Sequence, residues 1–166
     1  MRPSKLLRSR EANLELQPMP FAPTLQFFNH QSLQPAPLEL WQAAAERALP
    51  LCLAAATSPA SELHALQEIE INLVDDAAIA RVHAESLDDP APTDVITFPH
   101  GEIFVSLDTA QRQAADNGET YEREVMLYVI HALLHLAGWD DGALDDRSAM
   151  QTEQRRILEI VCSAAA

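Results

Sequence analysis

Cysteine and basic side chains are both scarce in this chain, and each scarcity closes off a class of protein. The two thiols, Cys52 and Cys162, sit among apolar neighbours at no zinc-knuckle or redox spacing, which excludes a disulfide scaffold and a thiolate metal cluster. Both read as reduced core residues, as expected in the cytoplasm. No stretch approaches the roughly 18 consecutive apolar residues of a membrane span. Residues 1–22 are basic but lack the apolar centre of a secretory signal, so neither a membrane nor an export route is expected.

Eleven Lys and Arg face 25 Asp and Glu, giving a formal net charge of −14. Arg2, Lys5, Arg8 and Arg10 place +4 on the first ten residues and leave −18 on the rest. Such a surface repels nucleic acid. An RNA substrate would have to be held by a local cation, a metal, or a larger assembly that supplies counter-charge. With 48% hydrophobic residues in 166, the chain can bury one core. We expect a flexible tail over 1–22, where Met19 could equally begin the protein, and one domain over 23–166.

The pattern along that domain alternates between two periods. Thr24 to Asn29 reads as a strand, and Leu38 to Leu49 as a helix limited by Pro50. Glu68 to Val74 alternates polar residues with Ile69, Ile71 and Leu73, a half-buried strand. Asp75 and Asp76 then cap a helix running to about Ser86. Val95 to Phe98 and Glu102 to Ser106 read as a hairpin around Pro99, His100 and Gly101. Helices follow over about Asp108 to Asn117, Tyr121 to Ala137 and Asp145 to Val161, with Gly118 and Gly138 closing the first two. The expected class is α+β, a small mixed sheet of about four strands packed with about five helices.

The segment richest in chemistry is His131 to Asp141, HALLHLAGWDD. Two histidines four apart stand one turn above the other on a helix, so both imidazoles can reach one ion at roughly 2.0–2.1 Å. Gly138 lets the chain reverse, and Asp140 or Asp141 can then supply a third ligand. A fourth position stays open, as in catalytic zinc sites. Ala132 stands where a zinc protease of the HExxH type places its glutamate base, which disfavours a protease.

These residues resemble the YbeY family of bacterial endoribonucleases, whose hallmark helix reads roughly HGxLHLxGYDH. Four further segments agree in order: EIEINLVDD, PTDVITFP (family form close to PTDVLSFP), GEIFVS (close to GDIxIS) and the EREV run before the histidines. The helix MQTEQRRILE also has the family's spacing of Met and Ile-Leu. The resemblance spans about residues 24 to 160. It implies a YbeY-like metal hydrolase fold and a zinc-dependent, single-strand-specific endoribonuclease using one Zn²⁺. The implied role is rRNA maturation, at the 3′ end of small-subunit RNA, and ribosome quality control. Implied partners are ribosomal RNA and the small ribosomal subunit, reached through a ribosomal protein or an assembly GTPase.

Carried over by position, His131, His135 and Asp141 form the metal and catalytic set. The third is a departure, because the family has histidine where this chain has Asp141, with Asp140 matching the acidic residue before it. An anionic ligand lowers the charge of the centre by one, which implies a weaker Lewis acid and a higher pH optimum. In a second departure, the family's YR pair before the PTD motif is Ser86 and Leu87 here. The cleft thereby loses a guanidinium suited to a phosphate, and Arg81 is the nearby candidate to replace it. A non-catalytic, metal-binding ribosome-assembly factor is the alternative that these two departures favour.

Other polar residues are read more plainly. Thr93 and Asp94 match a cleft motif, although Pro-Thr-Asp before a strand is also an ordinary turn. Glu102 could orient an imidazole from below or stand as an edge charge. Glu122 and Glu124 suit a helix N-terminus. His83 and His100 read as surface or core histidines, and Trp139 as packing at the turn.

Overall fold

The computed structural model describes residues 22–163, so the expected tail and Met19 lie outside the described residues. Four strands form one sheet in the order β1-β2-β4-β3. They are β1 (Thr24–Asn29), β2 (Glu68–Val74), β3 (Val95–Thr97) and β4 (Glu102–Ser106). The first two pair in parallel, as do β2 and β4, while β3 closes an antiparallel edge on β4. The helices are α1 (Leu38–Ala54), α2 (Glu62–Ala65), α3 (Asp76–Leu87), α4 (Leu107–Asn117), α5 (Tyr121–Leu136) and α6 (Leu144–Ser163). None is long and apolar enough to cross a membrane among the described residues.

Alternation along the strands divides the apolar residues between two faces. Ile69, Ile71 and Leu73 of β2 join Ile103 and Val105 of β4 in the main core, beneath α1, α5 and α6. Val74, Ile96 and Phe104 point the other way and meet Ile79 and Val82 of α3. Helix α5 is the hub of the main core, burying Val125, Val129, Ala132, Leu133 and Leu136 among its residues. Its histidines are therefore fixed by the most deeply packed helix in the molecule.

Two features differ from the sequence reading. Pro50 does not end α1, which continues to Ala54. The proline is exposed, while Cys52 beyond it is fully buried and holds the last turn against the core. Burial pushes that thiol's pKa up to about 12, as befits an unreactive core cysteine. The sixth helix, α2, is a single turn of four residues, too short for a periodic signal.

Candidate metal centre

The end of α5 builds the site. The Gly138 N–H donates to the His135 carbonyl and the Trp139 N–H to the Leu134 carbonyl, a Schellman closure with Gly138 at φ +98. A Cβ at Gly138 would collide with Thr57 Oγ1, so glycine is required twice over. Trp139 then donates its indole N–H to the Ala55 carbonyl at 2.9 Å, pinning the turn to the end of α1. Asp140 turns outward and accepts the Gly142 N–H, which brings Asp141, and not Asp140, back toward the histidines.

Nε2 of His131 and Nε2 of His135 lie 3.0 Å apart, and Asp141 Oδ2 lies 3.6 and 3.5 Å from them. Donors held about 2.0–2.2 Å from one tetrahedral ion stand about 3.3–3.6 Å apart, so the carboxylate spacing fits and the imidazole pair is slightly tight. The ring protons add a second test. His135 Nδ1 donates to the Trp139 carbonyl at 3.1 Å, and His131 Nδ1 to Gln154 Oε1 at 2.9 Å. Both Nε2 atoms are then bare lone pairs facing each other beside a carboxylate. That arrangement is repulsive unless a proton or a metal cation lies between them, and with Asp141 as a third donor the set fits a divalent metal.

The three donors open into a cleft of about 410 Å³ lined also by Glu62, His83, Leu87, Thr93, Asp94 and Thr97. Among the described residues, no lysine or arginine lines it. Leu87 is exposed on its wall, and Arg81 is exposed on α3 and is not among the side chains that line the cleft. Thr93 and Asp94 are both cleft and turn residues: the Asp94 carboxylate accepts the Thr93 hydroxyl and the Val95 N–H. Of the two readings of Glu102, the edge charge agrees with its pairing to His100 at 3.0 Å, and the imidazoles are oriented by Gln154 and the Trp139 carbonyl. His83 lines the cleft wall, its Nδ1 bonded to the Ala91 carbonyl.

Farther back on α5, Glu124 is buried, and that burial raises its carboxyl pKa. Tyr128, one turn before the first histidine, has its phenol pushed up by burial and by the charges of Glu124 and Asp94. Sequence reasoning missed Gln154. Its signal was a glutamine on the same stripe of α6 as Met150, Ile157, Leu158 and Val161, where an apolar residue would be expected.

Residues 26–161 match the family model described as Endoribonuclease YbeY. The chain belongs to the YbeY family. A YbeY relative from Kineococcus radiotolerans is 34% identical over 113 residues, covering 58% of this chain and 65% of its own. One from Gloeobacter violaceus is 38% identical over 108 residues, covering 55% and 56%. A third, from Elusimicrobium minutum, is 36% identical over 103 residues, covering 55% and 72%. The aligned part thus spans under two thirds of the first two relatives. Among solved structures, that of TM1509 from Thermotoga maritima shares the fold, with a TM-score of 0.60 and 23% identity over 84% of this chain and 90% of that one.

Proposed function

We propose that this YbeY-family protein is a zinc-dependent, single-strand-specific endoribonuclease acting in rRNA maturation, at the 3′ end of small-subunit RNA, and in ribosome quality control. The observation that carries the reading is the pair of Nε2 lone pairs, 3.0 Å apart and tethered through Nδ1, converging with Asp141 on an open cleft. The names of the relatives support the nuclease part. When bound, zinc supplies Lewis acidity toward a phosphodiester and makes water a better nucleophile near neutral pH. His131 and His135 would hold the ion as neutral ligands, and Asp141 offsets one of its charges. The Gln154 and Trp139 oxygens keep both rings in the tautomer this requires. Asp94 lines the same cleft.

Net charge −14 favours RNA presented by the small ribosomal subunit or a protein bound to it over free RNA. The test compares cleavage of small-subunit precursor RNA by the purified protein and by His131→Ala, with zinc content measured on both. Loss of cleavage and of zinc together is expected; equal cleavage by both refutes the catalytic reading. A second reading, a metal-binding assembly factor that does not cut, is favoured by the absence, among the described residues, of any Lys or Arg from the cleft lining. It requires no cleavage with any metal, while His131→Ala lowers thermal stability.

A further inference from the structure

On the far side of His131, toward α6, lies a smaller cavity of about 210 Å³. It is lined by Asp94, Tyr128, His131, Asp141, Arg147 and Gln154 among others. Among the described residues, Arg147 is the arginine lining a cavity shared with His131 and Asp141. Its Nε donates to the Asp141 main-chain carbonyl at 3.1 Å, so the guanidinium is anchored on the residue that closes the metal centre. That bond uses one of five N–H donors. The four on Nη1 and Nη2 engage no carboxylate or carbonyl among the described residues. Arg112, Arg123 and Arg156 are committed to Asp76, to Glu119 and Glu159, and to Glu153, while Arg47, Arg81 and Arg155 line neither cavity.

Charge decides what this guanidinium is for. A divalent ion in the site is outweighed by Asp141, Asp94 and Glu62, the three carboxylates that line the cleft. With neutral histidines, the centre then offers no net attraction to a phosphodiester. Arg147 offsets one of those negative charges, and a guanidinium already held through Nε loses less freedom when its Nη pair takes two phosphate oxygens. We propose that Arg147 anchors a backbone phosphate of the RNA strand beside the His131, His135 and Asp141 site, supplying from α6 the cation that the wall at Leu87 lacks. The proposal rests on the RNA reading above.

The experiment uses the full-length, metal-loaded protein with Arg147→Gln, Arg147→Lys and Arg81→Gln. Binding of a 2′-O-methylated single-stranded RNA oligonucleotide is followed across a salt series, protection by inorganic phosphate is read by thermal shift, and metal content by elemental analysis. Arg147→Gln should bind RNA about tenfold more weakly, with a log-affinity against log-salt slope shallower by about 0.7. Arg147→Lys should keep most of the slope, Arg81→Gln should change neither, and metal content should be equal throughout. Wild-type affinity and slope in Arg147→Gln would overturn the proposal and leave the RNA reading standing. Loss of metal in Arg147→Gln would also overturn it, since Arg147 would then be a clamp on the Asp141 loop. If the wild type binds no RNA but phosphate protects it and not Arg147→Gln, the RNA reading falls while the anion anchor stands. If phosphate protects both equally, the anchor falls too.

Discussion

An aspartate as third donor leaves the centre one unit less positive than three histidines would, and that difference is open to a direct swap. Asp141→His restores a neutral donor at the same turn and should move the pH optimum for RNA cleavage downward, read from pH–rate profiles of the two proteins. An unmoved optimum would mean that Asp141 does not set the acidity of the centre. Gln154 acts one step behind the donors. Gln154→Ala removes the acceptor for His131 Nδ1 and frees that ring to turn. Metal affinity should fall about 10–100-fold in a chelator competition, and the orphaned N–H should lower stability by about 1–3 kcal/mol. The histidine pair was legible because its spacing is one helical turn. Gln154 was not, because its partner lies 23 residues away and only the packing of α6 on α5 joins them.

Elements whose length or pattern fixes one period were read correctly, and the misreadings came where a tertiary contact overruled a local rule. Pro50 is a helix breaker by covalent geometry, yet α1 passes through it because Leu49 and Cys52 bury on the same face. Glu124 stands in the first turn of α5, as read, but its burial there was not legible from its place near the helix start. Asp76 was legible only as part of a cap, whereas it also joins three elements. Its Oδ1 accepts the Ser106 and Thr109 hydroxyls at 2.6 and 2.8 Å, and its Oδ2 accepts Arg112 at 2.7 Å. Burial opposes ionisation there, but these bonds outweigh it and hold the carboxyl below its usual range. A depressed folded-state pKa means the stabilisation is full above the ordinary carboxylate value of about 4 and is lost as pH falls below it. Asp76→Asn should therefore cost about 1–3 kcal/mol at neutral pH in urea unfolding. The gap to wild type should close in acid; a gap that stays constant with pH would show that the charge is not what these bonds need.

At the scale of the whole molecule, the same excess of carboxylates acts on folding and on substrate in opposite senses. A chain of net charge −14 repels itself when compact, and added salt screens that repulsion. Salt also weakens every phosphate contact that a local cation makes, because counterions no longer gain by release. Raising NaCl from about 50 to about 200 mM should therefore raise the melting temperature while reducing RNA affinity. One titration with both readouts checks this. The two trends separate because they arise in different places: the repulsion is spread over the surface, whereas the attraction is confined to the metal centre and its near cations. A melting temperature that falls with salt would mean that local ion pairs such as Arg123 with Glu119 and Glu159 outweigh the net charge. RNA affinity indifferent to salt would mean that the strand is held by stacking and hydrogen bonds, and the charge argument for an assembly that presents the RNA would lose its basis.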